Sequence, residues 1–105
     1  MKIKNFGVEA EVLPYRTSYW SDGSLAIILR DVNGGPYEEP YGKLTVNLGW
    51  KLQKNCAFVD VNNMPGAVKF IERYKLGEDT GIRERLGFCI YPLYKFNIDM
   101  MEEDR

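Results

Sequence analysis

Only one segment of this chain, about residues 64–76, carries apolar side chains at helical spacing; nearly every other apolar run alternates or is short. That contrast decides the class of fold. Met64, Ala67, Val68, Ile71 and Tyr74 fall on one side of a helix, and Lys69, Glu72 and Arg73 fall on the other. Asn62-Asn63 offers a cap, Pro65 belongs in a first turn, and Gly77 stands just past the end. Lys69 and Arg73 are one turn apart and repel mildly. Burial of the apolar stripe outweighs this, at about 1.5–3 kcal/mol per large side chain.

The remaining order is strands. In residues 8–15, Val8, Ala10 and Val12 alternate with Glu9, Glu11 and Leu13, which describes a half-buried strand. Asp22-Gly23 predicts a two-residue hairpin turn, because glycine accepts positive φ. Residues 25–30, LAIILR, then form the return strand, apolar on both faces and so central. Residues 32–42 read as a loop (Gly-Gly, two prolines, two glutamates). Residues 43–50 have the cleanest period of two, with Leu44, Val46, Leu48 and Trp50 on one face. Residues 56–61, CAFVDV, make a short apolar strand, and residues 77–87 read as a polar connection.

Residues 87–96, GFCIYPLYKF, pose a contradiction, since the most apolar run in the chain has Pro92 in its middle. In an unbroken strand Phe88, Ile90, Pro92, Tyr94 and Phe96 point one way, and Cys89, Tyr91 and Leu93 the other. Both faces are apolar, so the segment reads as a covered strand. Pro92 marks a bulge or the place where pairing on one side stops. The bend there is where Tyr91 or Tyr94 is expected to reach the surface.

The whole reads as α+β: a four- to five-stranded, largely antiparallel sheet with one main helix, about residues 64–76, packed on one face. A parallel crossover from Cys56 through the helix to Phe88 stays open as an alternative. The chain of 105 residues is expected to form a single domain, 1–105, with an acidic tail at 99–105 that frays.

Charge and composition exclude several chemistries. Net charge is −1, from 14 basic and 15 acidic residues spread evenly, so the basic excess typical of phosphate binding is missing. Histidine is absent, which removes the commonest general base and metal ligand. With Cys56 and Cys89 as the only cysteines, a Cys/His zinc site cannot close within one chain. The two thiols fit small buried hydrophobes in a reducing compartment, and a disulfide between them needs their strands to pair. There is no apolar run long enough to span a membrane and no signal-peptide core at the start, so the expectation is a cytoplasmic protein.

Four local patterns have structural readings. Asp79-Thr80-Gly81 spells the triplet of aspartic-protease loops, but Gly77 and Glu78 precede it where a buried apolar strand belongs, so it reads as a turn. Gly34-Gly35-Pro36 lacks the Lys-Ser/Thr and the helix of a phosphate loop. Asp60, Asn62 and Asn63 could ligate a hard cation, although helix capping needs the same residue types. Glu102, Glu103 and Asp104 read as solvated.

The most suggestive feature is aromatic. Tyr15, Tyr19 and Trp20 flank the predicted hairpin, and Tyr37 and Tyr41 flank Glu38-Glu39. Tyr and Trp are the side chains that anchor protein interfaces. The expectation is therefore a non-enzymatic binding module without a cofactor, acting on a protein partner or as a homo-oligomer through Tyr19, Trp20, Tyr37 and Tyr41. The alternative is nucleic-acid binding through Lys69, Arg73, Lys75, Arg83 and Arg85, which the balanced charge disfavours. An enzyme would need a pocket that joins acids such as Asp60 and Asp79, or one that activates a cysteine.

Three stretches also carry a resemblance: residues 41–48 (YGKLTVNL), 58–63 (FVDVNN) and 87–96 (GFCIYPLYKF). Together they resemble the small bacterial proteins of domain of unknown function family 4313, over about residues 41–97. The first forty residues are not diagnostic. The resemblance implies a cytoplasmic accessory protein of a mobile element and brings no catalytic residue with it.

Overall fold

The structure, a computed structural model, describes residues 1–33 and 40–104. In chain order the elements are β1 (Lys2–Asn5), β2 (Val8–Ser18), β3 (Leu25–Asp31), β4 (Pro40–Lys43), β5 (Thr45–Val46), β6 (Cys56–Val59), α1 (Ala67–Tyr74), β7 (Gly77–Leu86), β8 (Cys89–Phe96), a 3-10 turn (Ile98–Met100) and β9 (Glu102–Glu103). They form the α+β arrangement read from the sequence, with largely antiparallel sheets of five and four strands. The first sheet has the order β1-β2-β3-β4, with β9 also beside β2; the second has the order β5-β6-β8-β7. No helix among the described residues is long and apolar enough to cross a membrane.

The first sheet begins with a hairpin. β1 and β2 pair from Lys2↔Glu11 to Asn5↔Val8, leaving Phe6 and Gly7 as a two-residue loop. Both have positive φ, 52° and 79°, the signature of a type I′ turn. The β2–β3 ladder then runs from Val12↔Asp31 to Ser18↔Leu25, so Asp22-Gly23 is not a two-residue hairpin. The loop spans residues 19–24, closed by Tyr19 N–H to the Ser24 carbonyl at 2.9 Å and by Asp22 Oδ1 accepting the Ser24 N–H at 2.9 Å.

The alternating run at 43–50 is not one strand. It is divided at Leu44, whose N–H donates to the Ile27 carbonyl in β3 at 2.8 Å. The Leu44 carbonyl accepts the Asp60 N–H at 2.9 Å, at the end of β6. The chain changes sheets here while its side-chain alternation continues, which is why the pattern looked uninterrupted. Val46 and Leu48 lie against the smaller cluster of Cys56, Phe58, Tyr91 and Leu93, and Trp50 is exposed.

The helix is shorter than the apolar stripe. Residues 60–66 form turns in which the Asp60 carbonyl accepts the Met64 N–H at 3.0 Å, and the Asp60 carboxylate accepts the Asn63 N–H and Nδ2. The donor at the helix start, the Gly66 N–H, is taken by Asn5 Oδ1 of β1 at 2.7 Å. Asn62 and Asn63 therefore do not cap α1. At the other end Lys75 is the left-handed residue, with φ 55°, and Gly77 already belongs to β7. Ala67, Phe70 and Ile71 are buried, and α1 covers the outer edge of β1, where the Lys2 N–H donates to Tyr74 Oη at 2.7 Å.

Residues 77–87, expected as a connection, include the ten-residue strand β7. It lies at the edge of the second sheet, most of its side chains are exposed, and it has no apolar stripe to betray it. β6 and β7 both run antiparallel to β8, which sits between them. The route from β6 through α1 to β7 is thus a crossover between parallel strands with β8 inserted.

Pro92 stands where one ladder ends. β6 pairs with β8 from Cys56↔Lys95 to Phe58↔Leu93 and stops there. On that side the Phe96 N–H donates to the Asn55 carbonyl. Alternation puts the Pro92 nitrogen on the same side, just beyond the last pair, so its missing N–H interrupts nothing. On the other side β7 slips register between Asp79 and Arg83. Tyr91 and Tyr94 do not reach the surface, being 7% and 2% exposed, because the two apolar clusters cover both faces here. Phe88 is fully exposed in the turn before β8 instead of lying in the strand.

The acidic tail does not fray. β9 runs parallel beside Tyr15 and Arg16 of β2, and Met101 is buried. The Asp104 N–H donates to the Arg16 carbonyl at 2.8 Å, and its carboxylate meets Arg30 at 2.7 Å. Local composition hides these contacts because the partners lie in β2 and β3.

Candidate binding cleft at the sheet junction

Where the β1–β2 turn faces the chain crossing from β4 to β5, the surface opens into a cleft of about 720 Å³. Tyr19 and Tyr41 form part of its walls. Tyr19 is half-buried, with its hydroxyl 2.9 Å from Thr45 Oγ1, which also accepts the Ile27 N–H at 3.1 Å. Burial raises the Tyr19 hydroxyl pKa, the Thr45 hydrogen bond opposes this, and the Asp60 and Asp22 charges raise it further. Lys43 Nζ stands 5.4 Å from the centre of the Tyr19 ring, within cation–π range.

Tyr41 is held by a different link. Its hydroxyl accepts Asn5 Nδ2 at 3.0 Å, while Asn5 Oδ1 receives the Gly66 N–H. Asn5 is thus buried because both ends of its amide are bonded, and it ties the cleft wall to the helix start. Asp60 also lines the cleft, 8% exposed, with each carboxylate oxygen accepting one hydrogen bond from Asn63. Two apolar side chains stand exposed on the rim, Phe6 at 77% and Val8 at 69%, beside exposed Lys43 and Asn63. The site joins fixed polar groups to exposed hydrocarbon.

Of the four aromatic residues expected to contact a partner, the fold brings Tyr19 and Tyr41 to this cleft. Trp20 is fully exposed in the neighbouring loop and does not line it. Tyr37 lies outside the described residues. Phe6 and Val8 were missed because the first hairpin was missed. Its signal is in the sequence: Lys2 and Lys4 mirror Glu9 and Glu11 about Phe6-Gly7, and the ladder sets Lys2 against Glu11 and Lys4 against Glu9.

The basic set is divided. Lys69 and Arg73 share a hollow with Lys2 and Lys4 beside α1. Arg83 is engaged by Asp79 through two hydrogen bonds of 2.6 and 2.8 Å. Lys75 stands at the end of α1, and Arg85 lies on β7 opposite Ile90.

The remaining chemical candidates are scattered. The Asp79 carboxyl is held down to about 2, first by its hydrogen bonds with Arg83 and then by the Gly81 N–H. The triplet at 79–81 sits at the slip of β7, with Gly81 at φ 85° and the Thr80 hydroxyl donating to the Leu93 carbonyl at 2.7 Å. Cys56 and Cys89 are free thiols. Their strands do pair, but Cys56 lies opposite Lys95, so six residues of β8, roughly 20 Å, separate the two sulfurs' positions. A disulfide needs its Cα atoms within about 7 Å. Burial raises the Cys56 thiol pKa, which leaves it a poor nucleophile.

No curated protein and no solved structure matches the chain. The match to a known family runs from the last residues of β2 through β9, and so takes in β3 and β4 of the first sheet as well as the segments at 41–97 that carried the resemblance, but not β1. It covers residues 15–104, and the chain belongs to the family described as Domain of unknown function (DUF4313).

Proposed function

We propose that this protein is a small non-enzymatic accessory protein that binds a protein partner through the cleft at the sheet junction. The family resemblance supplies the rest of the reading: a cytoplasmic protein of a bacterial mobile element. The observation that carries the binding role is Phe6. Its backbone is left-handed, φ 52°, at a turn position where asparagine is the favoured residue. An L side chain there costs about 1–2 kcal/mol, and at 77% exposure the Phe6 ring recovers little of it by burial. A bulky ring held in strain at the rim of a cleft is what a contact residue looks like. The scatter of Asp60, Asp79, Cys56 and Cys89 supports a binding role over catalysis.

The test is Phe6→Asn, alone and with Val8→Thr, in affinity capture from the native host. Thermal unfolding of the same proteins runs in parallel. The expected result is a partner retained by the wild type and lost by the variants, with Phe6→Asn melting no lower than the wild type. Equal capture by both variants refutes the reading, as does a wild-type protein that retains nothing and elutes as a monomer.

A further inference from the structure

A second hollow, of about 620 Å³, lies where β1 meets α1, and none of its lining residues lines the cleft. Ile3 and Phe70, both buried, and half-buried Val68 give it an apolar floor. Lys2, Lys4, Lys69 and Arg73 stand around that floor. The two acids beside it are already engaged: Glu9 pairs with Lys2 at 3.7 Å, and Glu72 accepts the Tyr94 hydroxyl at 2.8 Å. Lys4 and Lys69 have no ion pair among the described residues, and the Arg73 guanidinium lies 5.2 Å from the Tyr74 ring centre. Four cations against two anions make this hollow net positive on a chain whose net charge is −1.

We propose that this groove binds an acidic, amphipathic segment of a partner protein. One apolar side chain of the segment sits over Ile3, Val68 and Phe70, and its carboxylates face Lys4, Lys69 and Arg73. Lys69 and Arg73 are one helical turn apart, about 5–6 Å between Cβ atoms. Acids two residues apart on an extended segment are separated by roughly 6.7 Å, close enough for both to be met. The segment docks through its side chains and not as an added strand. The outer edge of β1 is closed to strands, because the Lys2 N–H is given to Tyr74 and the Lys4 carbonyl lies against Gly66.

A nucleic acid fits the same groove less well. Base stacking needs an exposed ring, and Phe70 is buried. A run of phosphates needs a continuing track of cations, and Arg83 on β7 is held by Asp79. A polypeptide offers both the carboxylates and the hydrocarbon.

The test is selection of the full chain against a displayed random-peptide library, in parallel with Lys69→Glu/Arg73→Glu and with Phe6→Asn. Lys69 and Arg73 are exposed, so the charge reversal buries no new charge, and thermal unfolding of the reversed protein checks that it remains folded. The wild type is expected to enrich peptides in which acids flank an apolar residue. Those peptides should bind the reversed protein about tenfold or more weakly at low salt. Phe6→Asn should select the same peptides, since Phe6 does not line this groove. Neutral or basic peptides, equal binding to the reversed protein, loss of the peptides in Phe6→Asn, or no enrichment would each overturn the proposal. So would a labelled single-stranded oligonucleotide that binds more tightly than the best peptide.

Discussion

Replacing Gly66 with alanine sets two effects of opposite sign against each other. Gly66 has φ −85°, which any residue adopts, so alanine would gain about 0.4–1 kcal/mol by restricting the unfolded chain. Its Cβ, however, would lie 3.0 Å from the Lys4 carbonyl carbon, 3.1 Å from Asn5 Oδ1, and closer still to the Lys4 carbonyl oxygen. Carbon and oxygen settle at roughly 3.3–3.6 Å, so β1 and α1 would have to part by an ångström or more. The blocking atoms are mostly backbone and cannot swing aside. Parting stretches two hydrogen bonds of 2.7 Å, Gly66 N–H to Asn5 and Lys2 N–H to Tyr74. Each is worth about 1 kcal/mol net, and the loosened packing of Ile3 against the helix adds about 1–3 kcal/mol. The clash wins by about 2–4 kcal/mol. At about 4 °C or more per kcal/mol for a chain of this size, Tm should fall by roughly 8–16 °C. Thermal and urea unfolding of Gly66→Ala measure it directly. A variant as stable as the wild type, or more so, would refute the close approach of helix and strand.

Two further perturbations probe the tail and the helix packing. Asp104→Ala removes one partner of Arg30, and at 24% and 18% side-chain exposure the pair lies between surface and core. The loss should be about 1–2 kcal/mol in urea unfolding and should shrink with added salt; no change would mean that the tail is not docked. The Tyr94 hydroxyl has its pKa raised, first by burial and then by its hydrogen bond to Glu72. Folding therefore favours its protonated form, so its contribution is complete below the ordinary tyrosine value near 10 and is lost as pH rises beyond it. Tyr94→Phe should cost about 1 kcal/mol at neutral pH and fall less steeply above pH 10. An identical alkaline slope in both proteins would contradict the assignment.

What could be read from the chain depended on whether a segment's partners left a local mark. β3, β6 and the covered part of β8 were legible because strands packed on both faces must be apolar throughout. The helix was legible from its stripe, but its ends were not. The Gly66 donor is satisfied by Asn5, sixty-one residues away, and no neighbouring side chain reveals that. β7 escaped notice because an edge strand can be polar on both faces. The run at 43–50 misled because alternation reports burial and not which strand lies alongside. Asp104 looked solvated, like the exposed Glu102 and Glu103, because it was read without Arg30, seventy-four residues away. Of the site, Tyr19 and Tyr41 stood out as rings in loops, whereas Phe6 needed the first hairpin to be recognised.

The crossing at Leu44 has a mechanical consequence. With its N–H held by one sheet and its carbonyl by the other, neither ladder can peel away there without stranding a buried polar group, at about 1–3 kcal/mol. The two sheets are therefore clasped into one cooperative unit, and they open together. Lys43 and Thr45, on either side of the clasp, both line the cleft. That wall is consequently stiff, and an occupant would meet a shape already set, losing little affinity to the ordering of its receptor.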